Sequence, residues 1–310
     1  MRAVVTENYG SAPTLTELPT PTAGPGEIRV KVSHASLNGF DNALAAGYLQ
    51  GLMEHAFPVV LGRDFAGTVD QVGEGVTAYA VGDLVFGVVL TQPLHAGSFA
   101  EFVVIPEDHN VAPVPDGVDP STAGVLGLAG ASALACLDAV KLGPSDTMLV
   151  VGATGGVGAA TLQLARASGA TVIATAAGPA AIEHVSTLGA DYVVDHTADL
   201  AKQVRALAPG GLSVVLHYAG DPVALADLLG AGGRFASLLS VGPEQLGDRQ
   251  ITTIPVYATP HRAVLESLAA LVAAGRLRMP VQKVYGLAEV PQAFRDFNSG
   301  KLGKLAVAID

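Results

Sequence analysis

Gly152, Gly155, Gly156 and Gly158, in the stretch VVGATGGVG at 150–158, carry the clearest chemistry in this chain. They follow the apolar run Met148-Leu149-Val150-Val151, the pattern of a strand buried on both faces. They precede Ala159–Ala167, which is rich in helix formers. A strand, a glycine turn and a helix start in this order make a site for a pyrophosphate. Residues without Cβ let the backbone approach the phosphates, and unpaired N–H groups at the positive helix end hold their charge. The spacing is G-x-x-G-x-x-G, a variant of the G-x-G-x-x-G dinucleotide fingerprint. The residues that the turn offers to a nucleotide are Gly152, Thr154, Gly155, Gly156, Val157 and Gly158.

The elements around the turn repeat its rhythm. Strands are expected at 171–176, at YVVD, at 213–218, at GGRFASLL and at 251–257, with helices between them. With the strand before the glycines this makes six, a doubly wound parallel sheet of α/β class. Residues 1–115 differ: short strands such as EIRVKVSHASL and FAGTVDQVG, broken by Gly and Pro, indicate a mostly β domain, a partly closed barrel. STAGVLGLAGASALACLDAV reads as one long helix before Gly143-Pro144. The tail after Pro260 carries a helix, a strand, a helix and the last strand LAVAI, and is expected to return to the first domain. The expected division is 1–118, 119–258 and 259–310.

Composition narrows the classes. A chain of 310 residues favours two domains. Half the residues are apolar, yet no run of about 18 appears that would span a membrane, and no signal peptide is visible. The 28 Asp and Glu against 17 Lys and Arg give a formal charge of −11, which repels phosphate backbones and anionic lipid. The expectation is a cytoplasmic protein that binds neither nucleic acid nor membrane. The single cysteine, Cys136, lies in the apolar run LACLDAV and reads as a buried structural thiol.

The chain resembles the zinc-independent quinone oxidoreductases, the zeta-crystallin-like branch of the medium-chain dehydrogenase/reductase superfamily. The resemblance rests on SLNGFDNALAAGY, LGRDFAGTVDQVGEGV, VGDLVFG, GSFAEFVVIP, LAGASALACL, GATGGVGAATLQLA, LGADYVVDH, GGRFASLLS and SGKLGKLAVAI. It implies a GroES-like β domain and a Rossmann domain enclosing a cleft, with NADPH delivering hydride to quinones or enones. Zinc-dependent relatives place Cys where Asn38 stands and His-Glu where Arg63-Asp64 stand, so the resemblance implies no metal site. Without a Lewis acid to polarise an alcohol, the acceptor must already be electrophilic.

By the same resemblance Asn38 lies near the nicotinamide as the candidate catalytic residue, its amide offered to cofactor ribose or substrate oxygen. An Asn-Gly turn is the plainer reading of Asn38-Gly39. Asp41 is expected to stabilise local structure, and Tyr48 either lines the pocket or is an exposed loop residue. Gly39, Ala43 and Ala45 replace bulkier or more polar family residues and imply a wider pocket. Ser132, in place of a family threonine, is assigned to the nicotinamide side, and Leu238, Leu239 and Ser240 to main-chain contacts with its amide. His217-Tyr218 replaces the usual Asp-x-Val at the end of the fourth strand, without explanation at this level.

The residues closing the second strand, Thr175-Ala176-Ala177-Gly178, include no acid that would bind a ribose 2′-hydroxyl and repel a 2′-phosphate. The family's phosphate-binding lysine aligns with Ala181 and its hydroxyl with Gly178, while His196 falls where relatives carry Tyr. NADPH is the expected cofactor, with Ala176, Gly178 and His196 at its adenosine end. The functions to be separated are a quinone or enone reductase, an enoyl-thioester reductase, and a non-catalytic NADPH-binding protein of crystallin type. The uncharged strand at 251–257 is an edge that a protein must cover or pair, and the family pairs it with its two-fold copy, so a homodimer is expected.

Overall fold

The computed structural model describes residues 1–310. The chain folds into two compact units, one made of Met1–Ala129 with Pro260–Asp310, the other of Gly130–Thr259.

In the first unit β1 (Arg2–Thr6) pairs antiparallel with β2 (Thr14–Glu17). β3 (Glu27–Ser36) buries Ile28, Val30 and Val32 while Lys31 faces solvent, the two-residue period of a half-buried strand. After α1 (Gly39–Ala45), β4 (Val59–Val60) adds to β1, and β5 (Asp64–Val72) pairs antiparallel with β3. β6 (Leu84–Val88), β7 (Phe102–Pro106) and β8 (Val111–Pro113) complete this stretch, β7 on β3 and β8 on β6.

The expected single helix after Pro120 is two. α2 (Pro120–Ala123) stops at Gly124, and α3 (Gly127–Val140) starts after a turn. The glycines on either side of this break are there for close packing. A Cβ on Gly124 would lie 2.8 Å from His34 Cβ, and one on Gly127 would lie 2.7 Å from a Val88 methyl. The chain here lies against β3 and β6, so residues 119–129 belong to the first unit, and the boundary falls at Ala129 and not at 118.

The second unit holds β9 (Thr147–Val151), α4 (Gly156–Ala165), β10 (Thr171–Thr175), α5 (Pro179–Leu188), β11 (Tyr192–Val194) and α6 (Leu200–Leu207). It continues through β12 (Leu212–His217), α7 (Pro222–Ala226), β13 (Leu229–Ser237), α8 (Pro243–Leu246) and β14 (Thr252–Pro255). The six strands form one parallel sheet in the order β11-β10-β9-β12-β13-β14, the doubly wound arrangement. Both faces are buried. Met148, Val150, Val172, Ala174, Val214 and Leu216 enter one core; Leu149, Val151, Ile173, Val215 and Phe235 enter the other. Successive residues of each strand thus feed opposite cores, which is why these segments read as unbroken apolar runs.

The tail rejoins the first unit through α9 (Arg262–Ala273), β15 (Val281–Gly286), α10 (Val290–Asn298) and β16 (Lys304–Ala308). β16 lies antiparallel to β3, with Val307 opposite Ala35. α10 buries Val290, Ala293 and Phe294, one helical stripe, and Phe294 meets Phe99 edge to face at 6.2 Å. No helix is long and apolar enough to cross a membrane.

Candidate functional site

The glycine turn forms where the sequence places it, between β9 and α4. Gly152 adopts φ +84°, a left-handed conformation that glycine takes without strain, and its N–H donates to Thr175 Oγ1 at 3.2 Å. Gly155 is the N-cap of α4, so the N–H groups of Gly156, Val157 and Gly158 begin the helix without intrahelical acceptors. A Cβ at Gly155 would meet only Gly152 O, at 3.7 Å, and the space before the helix is open. At Gly158 the reason for glycine differs: a Cβ there would stand 2.5 Å from Ala153 Cα and O, so this residue lets helix and turn close on each other. The free N–H groups at the N-terminus of a ten-residue helix, with no Cβ on its N-cap residue, suit a diphosphate.

The other candidates of this unit gather at the carboxyl ends of the same parallel strands. Ala176 and Gly178 follow β10; Ala176 is buried and its N–H donates to Val194 O, whereas Gly178 is exposed, with nothing within 4 Å of a Cβ. No acid stands among 175–178. His196 follows β11 and is exposed, and the neighbouring Asp195 carboxylate is held low by Thr197. Ala181, in the first turn of α5, is half-buried and packs against the core. Leu238, Leu239 and Ser240 follow β13, with Ser240 at φ +56°. β9 lies between β10 and β12, the switch point of the sheet, where ligands of such folds bind.

Ser132 is buried on α3, and no hydrogen bond ties its hydroxyl to the preceding turn. Cys136 is buried, and burial pushes its thiol up to about 12, which leaves it without nucleophilic character. Tyr218, on the same side, hydrogen-bonds Thr161 Oγ1 at 3.0 Å and is held far above its ordinary value by burial.

Asn38 belongs to the first unit and sits in a buried polar cluster. Its Nδ2 donates to Asp64 Oδ2 at 2.9 Å, and its Oδ1 accepts from Lys304 Nζ at 2.7 Å. Asp64 Oδ2 also accepts from Ser36 Oγ at 2.8 Å and from Lys304 Nζ at 3.1 Å, while Oδ1 caps α3 by accepting the Leu128 N–H at 2.7 Å. Beneath lies a second pair. Asp41 accepts the N–H groups of Asn38 and Gly62, and Arg63 Nε stands 3.5 Å from its Oδ1. Burial raises the Asp41 carboxyl to about 6 and lowers the Arg63 guanidinium, each partly offset by the other's charge. Arg63 donates to the carbonyls of Val60 and Val89.

This geometry revises the sequence reading of Asn38. Its amide nitrogen donates to Asp64 Oδ2 and lies 3.4 Å from Ser36 O, so this donor is engaged inside the unit and not held free for a cofactor or substrate. Asp41 does stabilise local structure, and Tyr48 is 74% exposed. Lys304, Ser36 and Arg63 were not legible as partners, although one signal was present: a lysine at the start of the apolar strand LAVAI, inside a buried stretch.

Two family models match the chain. Residues 24–116 match the alcohol dehydrogenase GroES-like domain, and residues 188–307 match the zinc-binding dehydrogenase model. The residues present do not fit a zinc ion. No three His, Cys, Asp or Glu side chains come together to hold one, and beside Asp64 the positive charge is the Lys304 ammonium.

Among curated relatives, phthioceranic/hydroxyphthioceranic acid synthase of Mycobacterium tuberculosis is 33% identical over 92% of this chain, which spans only 14% of that protein. The chloroplast envelope quinone oxidoreductase homolog of Arabidopsis thaliana is 29% identical over 99% of this chain and 98% of its own length. Among solved structures, the quinone oxidoreductase from Coxiella burnetii matches with a TM-score of 0.90 and 25% identity, over 100% of this chain and 99% of that one. CurK enoyl reductase matches with a TM-score of 0.86 and 25% identity, over 100% and 99%.

Proposed function

The chain belongs to the medium-chain dehydrogenase/reductase superfamily, in its quinone oxidoreductase branch, and we propose that it reduces a quinone or an α,β-unsaturated carbonyl with NADPH and without zinc. It is an oxidoreductase of a family that binds nicotinamide cofactors. The observation that carries the finer reading is the side chain in the cation position: Lys304, paired with Asp64 and Asn38, where zinc-dependent relatives carry metal ligands. An ammonium buried among its own partners does not polarise an alcohol for oxidation. An acceptor whose carbon is already electrophilic needs no such help.

NADPH, when bound, supplies the hydride. The N–H groups at the start of α4 hold the pyrophosphate, with Gly155 keeping the approach clear. The end of β10 admits a 2′-phosphate because no carboxylate stands there, and the His196 imidazole adds a donor. The backbone of 238–240 orients the nicotinamide amide. Reduction of an enone then adds hydride at the β-carbon and a solvent proton at the α-carbon. A quinone takes hydride and proton to become the hydroquinone.

Enoyl-thioester reduction is the second reading, favoured by the likeness to CurK enoyl reductase and to a segment of the mycobacterial synthase. The proposed site has no basic cluster for a carrier phosphate, which supports the first reading. A panel of quinones, enones and enoyl thioesters, assayed with NADPH and excess chelator, separates them. Turnover of quinones or enones with no loss to the chelator is expected. Turnover confined to enoyl thioesters would establish the second reading, and activity that vanishes with chelator would overturn the zinc-free one.

The protein is proposed to act as a homodimer through β14. Thr252–Pro255 is an edge of the parallel sheet, carries no charge, and leaves backbone groups unpaired on one side. Light scattering at micromolar concentration should give the mass of two chains, and Thr253→Lys should shift it toward one.

A further inference from the structure

His217 is the last residue of β12, 1% exposed, and unexplained by the sequence. Its two ring nitrogens are both engaged. Nε2 lies 3.1 Å from Gly220 O, and Nδ1 lies 2.9 Å from Ser237 Oγ. A carbonyl only accepts, so Nε2 carries the proton. Burial lowers the imidazole's affinity for a second proton, so Nδ1 is the acceptor and the Ser237 hydroxyl donates to it. Ser237 Oγ keeps a lone pair, and the Leu239 N–H donates to it at 3.0 Å. The backbone adds to this: the Leu238 N–H reaches His217 O at 3.3 Å. The ring itself packs on Phe235, with centroids 5.3 Å apart.

The direction of each bond is therefore fixed along a chain from Leu239 N–H through Ser237 to His217 and on to Gly220. It joins the two loops that leave adjacent parallel strands, 218–221 after β12 and 238–240 after β13. The second loop needs holding. Ser240 sits at φ +56°, a conformation a non-glycine residue keeps only where its surroundings impose it.

We infer that His217 is a positioning residue that sets the backbone of 238–240 for the nicotinamide end of the cofactor, acting through Ser237. This rests on the dinucleotide reading of the glycine turn. On that reading the adenosine end falls to β10 and β11, which lie on the other side of β9 from the relay.

The test compares two ligands of the full chain by isothermal titration: NADPH, and 2′,5′-ADP, which lacks the nicotinamide. His217→Phe removes both bonds but keeps an aromatic ring, and Ser237→Ala cuts the same relay with one atom lost. Each should weaken NADPH about tenfold and leave 2′,5′-ADP unchanged. The double variant should weaken NADPH no further than either single one, since both break one chain. His217→Asn, whose Oδ1 replaces the Nδ1 acceptor, should restore most of the affinity. Equal loss of both ligands, or NADPH binding unaltered in Ser237→Ala, would overturn the inference while leaving the cofactor reading intact. A wild-type chain that binds neither ligand would overturn the cofactor reading itself, and this inference with it.

Discussion

Lys304 Nζ stands 2.7 Å from Asn38 Oδ1, a contact between residues 266 positions apart that joins the last strand of the chain to the cap of α1. The same ammonium reaches Asp64 Oδ2 at 3.1 Å, with side-chain exposures of 3% and 0%. Buried charges persist only when paired and hydrogen-bonded, and here every contact has a partner of the other sign or a dipole turned toward it. The cluster fixes which way the Asn38 amide points: oxygen to lysine, nitrogen to aspartate.

Removing one charge should expose the other. Lys304→Met is expected to lower stability by about 3–5 kcal/mol, because Asp64 is left buried with no cation. Adding Asp64→Asn to it should recover part of that loss. Urea unfolding of the single and double variants measures both. A single variant within about 0.5 kcal/mol of wild type would show that the pair does not hold the cluster.

The parallel sheet was legible because its strands carry their signal locally: Met148–Val151, Val172–Ala174 and Val214–Leu216 are apolar on both faces, and each is followed by a turn or a helix. The glycine turn was legible for the same reason. Asn38 was not, since the residues that decide its role come from β3, β5 and β16, and nothing local in Asn38-Gly39 announces Lys304. The break between α2 and α3 is not legible because the glycines on either side of it, Gly124 and Gly127, answer to neighbours in space, His34 and Val88, and the α3 cap comes from Asp64, far away in sequence. His217 was equally silent: its partner Ser237 ends the next strand, a pairing that only the sheet register creates.

The glycines should fail in different ways. Gly155→Val places its side chain in open space before the helix, so the variant should fold normally and lose NADPH binding. Gly158→Val drives a side chain against the Ala153 backbone and should cost about 3 kcal/mol of stability besides. Thermal melting and cofactor titration separate the two. A Gly155→Val chain with unchanged NADPH affinity would remove the pyrophosphate from this turn.

Cofactor choice should respond to one carboxylate. Ala177→Asp puts an acid at the end of β10, where it would bind a ribose 2′-hydroxyl and repel a 2′-phosphate. NADPH affinity should fall about tenfold or more while NADH affinity rises. Equal change for both cofactors would mean that the adenosine ribose lies elsewhere.

Acid should weaken the fold through His217. Burial lowers its pKa from 6.5, with the Gly220 carbonyl and the Asp221 charge opposing. Folded, it therefore binds fewer protons than unfolded, so its contribution is complete above about pH 6.5 and is lost as pH falls toward the folded value. Asp41, raised to about 6, acts in the opposite direction: it holds its proton more firmly when folded, and so favours the folded chain toward acid. Melting temperature followed down from pH about 8 should fall less steeply in His217→Asn than in wild type. Identical slopes would show that the histidine does not titrate with unfolding.

Hydride transfer to a conjugated carbonyl is tested most directly by following the label. NADPH carrying deuterium at the transferable C4 position is mixed with the protein and a simple enone, and the reduced product is examined by NMR. One deuterium at the β-carbon and a solvent-derived hydrogen at the α-carbon is the predicted result. Deuterium washed into solvent, or an enone and a quinone both left untouched while labelled NADPH stays bound, would contradict the proposed reaction.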